Sequence, residues 1–437
     1  MQAPYFFERL HMHSFRPARL ARSIRTGLFL AAIGFVPVFG LTAHAADEKP
    51  ATAAPAEAMR AEFSPLLKAF DELTKAKDFK AALAKLAEMD AIPNKTPYEE
   101  FTIERMRVST ASSAGDNVQT AISLEKTLAS GRLPANEQLI FLQALASIKF
   151  QSNDFAKTIE WIDRYNKAGG NDPKMRYLHI QSLYNSKDYT KTLSELRNDI
   201  KADIAAGKVP NEDNLKIFLN CTVNLNDKLG YIEAMQQLTT YYPKKEYWEE
   251  LLTRYAASTA NAERFLASYY RLKIKMGLMT SAEEYMEMGD FLMRAAQPGE
   301  TKRALDQGYA AGILGKGDTK KQNALRDKVN KAAQDDLKTL DQAETSLAKA
   351  KEGTGLINVG YAMVIAGKTE KGIALMEQGL KLPIKKLDEA RLLTGIAYIE
   401  VGRKDDALKM FALVQSNDGG TELAKYWIMH TNKPLPK

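Results

Sequence analysis

The segment Asn153-Asp154-Phe155-Ala156-Lys157-Thr158-Ile159 returns 34 residues later as Lys187-Asp188-Tyr189-Thr190-Lys191-Thr192-Leu193, with Asp, aromatic, Lys, Thr and aliphatic positions in register. A period of this length marks a supersecondary unit that cannot bury its apolar face alone, so the chain has to stack copies of a helical hairpin. The same opening occurs at Lys77-Asp78-Phe79 with Ala82, and more weakly at Gly115-Asp116 with Thr120. Successive offsets are therefore 38, 38 and 34 residues. Apolar residues between these points recur at three- and four-residue spacing, and runs of alternating Val, Ile and Thr are missing, which predicts helices and no strand. Asn171-Asp172-Pro173 places a capping carboxylate before a proline at a first helical position.

Toward the C-terminus the units gain further fixed positions. Gly395, Tyr398, Gly402, Ala407 and Phe411 follow one another at relative spacings 0, 3, 7, 12 and 16, and Gly360, Gly367, Gly372 and Met376 repeat 0, 7, 12 and 16 of that series 35 residues upstream. Another unit runs through Gly289, Leu292, Ala296, Thr301 and Leu305, and one ends at Tyr241-Tyr242-Pro243. Small residues let the two helices of a hairpin approach closely, and the large one fills the space that the next hairpin covers. This alternation resembles the tetratricopeptide repeat (TPR), over about two-thirds of residues 46–437. The resemblance implies an all-α, TPR-like helical-hairpin solenoid, a right-handed superhelix, with an irregular helical middle section. Ile180 departs from it by standing where a small residue is expected, and Thr replaces the small Ala of the second helix in three units. The repeat is not recognisable over 246–280, although Tyr247, Trp248, Leu251, Leu252 and Tyr255 mark an amphipathic helix there. A charged helical stretch over 319–351 has Leu325, Val329, Leu337, Leu340 and Leu347 on one side. It reads as a linking hairpin packed on the solenoid, with a coiled-coil docking helix as the alternative.

The N-terminus reads as an address. Arg9, Arg16, Arg19, Arg22 and Arg25 precede an apolar run over 27–41, and Ala43-His44-Ala45 then supplies the small-x-small pattern of a signal-peptidase site. Residues 1–45 are thus expected to be a secretory signal peptide, by the general secretory route, with a mature chain from Ala46. The run is short for a membrane span, so no stable membrane anchor is expected after cleavage. A mitochondrial transit peptide is the competing reading, and Met12 is an alternative start. Residues 46–60 form an Ala/Pro tether without apolar periodicity. The remaining sections are expected at 61–245 (N-terminal TPR-like array), 246–353 (irregular helical section with one degenerate repeat) and 354–437 (C-terminal TPR pair).

Charge and histidine usage narrow the chemistry. Removing the five arginines and one glutamate of residues 1–45 from the chain's 61 basic and 54 acidic side chains leaves 56 and 53, interspersed as on a solvated helical surface. No dense basic face is present for phosphates, and nucleic acid is not expected as a partner. Of five histidines only His179 and His430 lie beyond the leader, too few and too far apart in sequence for a hydrolytic zinc site or a Ser-His-Asp triad. Gly367-Lys368-Thr369 lacks the first glycine of a phosphate-binding loop, since Ala362 stands there. Gly312, Gly315 and Gly317 lack the strand-to-helix context of a dinucleotide site. Glu283-Glu284 and Asp335-Asp336 are adjacent on helices and point apart. The single cysteine, Cys221, reads as a small buried hydrophobe. No catalytic residue, cofactor or metal is expected.

The expectation is a periplasmic scaffold that binds protein or peptide partners in the cell envelope. Carried residue by residue, the resemblance places Arg105, Gln143, Tyr177, Gln181, Tyr184, Tyr361 and Glu389 on the concave partner-binding wall. Tyr and Arg are the types that dominate contact energy. The whole chain also resembles exported bacterial TPR proteins of undetermined function, some associated with TonB-type energy transduction, and a role in outer-membrane or cell-wall assembly would differ only in the partner. The alternative from another class is a solute- or glycan-binding protein or a carboxylate-based carbohydrate enzyme. That alternative predicts a deep pocket with two facing carboxylates and aromatic side chains, where a scaffold predicts a long open groove.

Overall fold

The computed structural model describes residues 57–258, 263–317, 319–347 and 349–436. The leader expected at 1–45 lies outside the described residues, as does most of the 46–60 segment. Among the described residues the secondary structure is helical throughout, with no strand. Two compact units meet at Lys201 and Ala202. The section boundaries expected at 246 and 354 both fall inside the second unit.

One turn builds the hairpins of both units. In the first unit α1 (Ser64–Lys75) pairs with α2 (Phe79–Asp90), α3 (Pro97–Ser113) with α4 (Asn117–Ala129), α5 (Ala135–Gln151) with α6 (Phe155–Lys167), and α7 (Pro173–Asn185) with α8 (Tyr189–Ala205), whose last turn passes the unit boundary. Each first helix ends on a residue in the left-handed region, Lys77, Gly115, Asn153 or Lys187, at φ of 59, 75, 59 and 61°. The next residue is an Asp whose backbone N–H donates to a carbonyl five residues back, as Asp154 does to Lys149 at 2.9 Å, which closes the helix. The Asp carboxylate then accepts from the backbone N–H three residues on and so caps the second helix: Ala81, Gln119, Lys157 and Lys191 donate at 2.9–3.2 Å. The Lys-Asp and Asn-Asp pairs singled out in sequence are thus the stop of one helix and the start of the next.

This turn fixes the packing register. Five residues after each left-handed residue come Ala82, Thr120, Thr158 and Thr192, all buried. The three threonines donate their hydroxyls to the carbonyl of the capping Asp at 2.7–2.8 Å, which satisfies the hydroxyl that would otherwise be costly in the core. This is why Thr substitutes for Ala there. Nine residues after the turn stand Leu86, Leu124, Ile162 and Leu196, each fully buried. Seven residues before it stand Phe70, Val108, Ala146 and Ile180, so Ile180 is in register and the position simply accepts large residues in this unit.

The second unit reuses the left-handed residue and the five-back backbone bond at Asn226, Ala296, Gly367 and Gly402, but only Asp227 keeps the capping carboxylate, Gln297, Lys368 and Arg403 standing at the other three places. Its hairpins are α9 (Glu212–Asn224) with α10 (Lys228–Tyr241), α13 (Ala282–Arg294) with α14 (Pro298–Ala310), α16 (Thr354–Ile365) with α17 (Thr369–Gly379), and α18 (Leu387–Glu400) with α19 (Lys404–Ala412). At α16/α17 the approach is backbone to backbone, since a Cβ on Gly360 would sit 2.6 Å from the Gly372 carbonyl oxygen. In α18/α19 a Cβ on Gly395 would run into the Phe411 ring. Cys221 on α9 is fully buried, and burial pushes its thiol up to about 12, as its reading as a small hydrophobe expects.

Four helices of this unit stand outside the hairpin series: α11 (Lys245–Ala257), α12 (Leu266–Lys275), α15 (Thr319–Leu347) and α20 (Gly420–Asn432). The charged stretch is one helix, α15, where a linking hairpin was expected. Leu325, Val329 and Leu340 are buried against the unit, Leu325 on Gly289 of α13, whereas Leu337 is 54% exposed. No proline or left-handed glycine interrupts the stretch, so nothing local turns it. Helix α20 returns to the start of the unit: Trp427 stacks on Phe411 at 5.6 Å and donates Nε1–H to the Ser268 carbonyl at 3.3 Å, and Tyr426 lies edge-on to Trp248.

Candidate functional site

In the first unit the expected wall residues fall on the first helices of consecutive hairpins. Arg105 on α3 reaches Glu137 on α5, with its guanidinium 2.8 Å from the carboxylate. Gln143 on α5 donates to the Tyr165 hydroxyl at 3.1 Å and to Asp172 at 3.0 Å, while Asp172 caps α7 through the Lys174 N–H. Arg105 and Gln143 therefore tie neighbouring hairpins together. On α7, Tyr177, Gln181 and Tyr184 share one face by their spacing of four and three. Tyr177 is half-buried against the core cluster around Phe141 and Leu178, and Tyr184 is half-buried with its ring edge-on to Tyr189 at 5.8 Å. Gln181 is buried between them, and its amide nitrogen has no hydrogen-bond partner.

Charge networks that sequence reasoning missed flank these helices. Arg107, buried on α3, pairs with Glu104 at 2.6 Å and with Asp90, while Lys126 reaches Glu104 at 2.8 Å. Burial pushes Glu104 up, but Lys126, Ser123 and Arg107 outweigh it and hold its pKa below the ordinary carboxylate value. Arg176 spans Glu195 and Asp199 of α8 at 2.7 and 2.9 Å. At the N-terminal edge Glu99 closes a capping box with Thr96 and accepts from the Arg60 backbone and guanidinium at 3.0 and 2.9 Å. The Arg60 side chain holds the Glu99 carboxyl down at about 2.

In the second unit the corresponding faces are covered by the chain itself. Tyr361 on α16 is fully buried, and its hydroxyl donates to Glu300 at 2.7 Å. Arg271 of α12, also buried, makes paired hydrogen bonds to Glu300 at 2.7–3.0 Å and lies 5.0 Å from the Tyr361 ring centre. Glu389 on α18 pairs with Arg264 at 3.1 Å, and Arg264 also holds Asp418 at 2.9 Å. Glu400 at the end of α18 takes Lys275 at 3.0 Å and Arg303 at 2.9 Å. Phe265 fits against Gly420, where a Cβ would stand 2.5 Å from its ring. Segment 263–275 thus supplies Arg264, Arg271 and Lys275 to acidic residues along these hairpins. Tyr361 is a core residue and offers a partner no surface, and Glu389 is engaged by the chain's own arginine. The covering segment lies in 246–280, where the repeat is lost in the sequence. No local signal marks it, because its buried arginine finds partners 29 and 90 residues away.

Two of the cavities in the second unit bear on the choice between a groove and a deep pocket. One, of about 580 Å³, is bounded by α14, α15 and α16 and has Glu300, Asp306 and Asp336 in its lining, but no aromatic side chain. Glu300 is turned into the Arg271 pair, and Asp306 is answered by Lys302 and Arg326. The other, of about 760 Å³, is lined by residues of α12, α18 and α20. Among the described residues no group of three or more His, Cys, Asp or Glu side chains is placed to hold a metal ion, and no helix is long and apolar enough to cross a membrane. His179 is buried 3.5 Å from Asp163, with its pKa lowered by burial.

The repeated hairpins, set by one turn and one small-to-large packing register, define an all-helical TPR-like protein. Comparison with solved structures returns the TPR2AB domain of yeast Sti1 in complex with pHSP90, at 12% identity over 68% of this chain and 98% of that one, with a TM-score of 0.23. Yeast Tom70 matches at 11% identity over 85% and 97%, with a TM-score of 0.22, and the P58(IPK) TPR domain at 10% over 85% and 100%, with a TM-score of 0.21. The fold assignment rests on the hairpin geometry of this chain and on none of these similarities. No protein-family model and no curated protein matches the sequence.

Proposed function

We propose that this protein is a non-catalytic scaffold whose first unit holds a protein or peptide partner on the α7 face formed by Tyr177, Gln181 and Tyr184, beside Arg105 and Gln143. The observation that carries this reading is the face itself, on which the half-buried Tyr177 and Tyr184 stand either side of the buried Gln181. Two half-buried tyrosines beside it supply rigid amphipathic contact area at small entropic cost. In the second unit the equivalent positions are committed internally, so the proposal confines binding to the first. The basic leader and Ala43-His44-Ala45 support export, and with it a periplasmic site of action. The resemblance to exported TPR proteins supports a partner in the cell envelope, in TonB-type energy transduction or in envelope assembly.

The test is in-cell photo-crosslinking from positions 177 and 184 in the processed protein, with mass spectrometry of the envelope fraction. Position 361 serves as a buried control. Discrete adducts from 177 and 184 and none from 361 are expected. No adducts from either α7 position, with the protein abundant and correctly cleaved, would refute the wall. A protein that stays in the cytoplasm with residues 1–45 attached would refute the export reading.

A further inference from the structure

The larger cavity of the second unit has a composition unlike the rest of the surface. Its apolar side is built from Ile274, Met276, Leu278 and Ile399, and Pro434, Leu435 and Pro436 run along another side. Lys245, Lys275 and Lys404 also line it, and among the described residues no carboxylate does. Glu400, which answers Lys275 at 3.0 Å, and Glu249, which stands 3.7 Å from Lys245, lie outside the lining. Lys404 is exposed and has no ion-pair partner among the described residues. His430 completes the wall: it is 8% exposed, its ring lies edge-on to Trp248, and its Nδ1 has no hydrogen-bond partner. Burial, with a smaller contribution from Lys275, pushes His430 down to about 4, so the ring is neutral near pH 7.

A site of this kind suits a molecule with two ends. The cavity's about 760 Å³ lies within the roughly 300–1,000 Å³ range of ligand pockets, and binding sites pair a mainly apolar lining with few placed polar groups. Apolar walls favour a hydrocarbon body, and ammonium groups without lining carboxylates favour a negative head over a positive one. The neutral imidazole of His430 adds a polar group to this wall without adding charge. A peptide would bring its own backbone donors and acceptors, for which the lining offers little besides His430, Thr431 and Gln307. We propose that this cavity binds one molecule of a single-chain fatty carboxylate, its hydrocarbon along Ile274, Met276, Leu278 and Ile399 and its carboxylate at Lys404, Lys245 and Lys275.

The experiment is calorimetric titration of the full chain with dodecanoate below its micellar concentration, beside dodecyltrimethylammonium, which has the same tail and the opposite charge, and acetate, which has the head alone. The expected result is one saturable site for dodecanoate and none for the other two. Lys245→Gln with Lys404→Gln removes two exposed charges and is expected to weaken dodecanoate about fivefold. Ile399→Trp, which fills the cavity from a half-buried position, is expected to abolish binding, and Ile399→Val, which leaves it open, to retain it. Equal binding of the ammonium amphiphile, or unchanged affinity in the lysine double variant, would overturn the charge assignment and the proposal with it. No binding of dodecanoate by a chain of native helicity would do the same.

Discussion

Glu300→Gln is the most informative single change in the second unit, because it separates a sealed ion pair from a hydrated one. Glu300 and Arg271 are each about one-twentieth exposed and joined by hydrogen bonds of 2.7–3.0 Å, with the Tyr361 hydroxyl as a third member at 2.7 Å. Neutralising the carboxylate leaves the guanidinium buried without a counter-charge, which costs about 3–5 kcal/mol. Replacing the whole trio with apolar groups, by Arg271→Met, Glu300→Leu and Tyr361→Phe together, removes the desolvation cost along with the pair and should return stability to within about 1 kcal/mol of the parent. The readout is urea unfolding followed by tryptophan fluorescence in a Trp161→Phe background. Of the three tryptophans, Trp248 and Trp427 then remain, both buried in the second unit. With a slope of about 3 kcal/mol per molar urea, the single variant should lose roughly 1–1.7 M in midpoint. A loss under about 0.3 M, or a triple variant no better than the single one, would refute the claim that α12 is sealed against α14 and α16 through this trio.

Gly372→Ala should destabilise the α16/α17 hairpin by about 1–2 kcal/mol, because the added methyl meets the Gly360 carbonyl, and the overpacking cost of about 1–3 kcal/mol exceeds the helix-propensity gain of up to about 1 kcal/mol. The same fluorescence assay checks it, and an unchanged midpoint would mean that the two helices are not in backbone contact. Glu99, held down at about 2 when folded, binds its proton more readily in the unfolded chain, so its contribution is complete above the ordinary carboxylate range and is lost as pH falls from about 4.5 toward 2. Stability of the first unit measured across that window should fall less steeply in Glu99→Gln than in the parent, and parallel curves would sink the assignment.

The hairpins were legible in the sequence because their signals are local. An Asp preceded by Lys, Asn or Gly, and followed by an aromatic at three of the four turns of the first unit, encodes both halves of a turn within three residues, and the buried position eight residues after it was visible as a periodic aliphatic. Thr120, Thr158 and Thr192 looked like departures only because the carbonyl that satisfies each hydroxyl is a backbone atom, which a side-chain pattern does not display. Tyr177, Gln181 and Tyr184 share a face of α7 because helix register is local. The burial of Tyr361 and the Arg264 pair of Glu389 were not legible, for the opposite reason. Their positions in the hairpin are those of a wall, but whether a wall is open depends on what else the chain lays over it. Segment 263–275 has no repeat signature, and the arginines that claim Glu300, Glu389 and Asp418 look, in sequence, like any solvated basic residues.

In a stack of hairpins each repeat touches only its neighbours, and unfolding can proceed one repeat at a time, as a zipper opens. The first unit keeps to that rule, with helices that pack against those next in sequence. In the second, Trp427 bonds the backbone of Ser268 from 159 residues away, and Arg264 holds Asp418 across 154. These bonds tie the last helix of the unit to its early helices, so fraying from the C-terminus has to expose Trp248, Tyr426 and Trp427 before any single repeat is free. The two halves of one polypeptide should therefore lose their structure by different statistics, the first by gradual terminal melting with a graded pattern of amide exchange, the second as one all-or-none block.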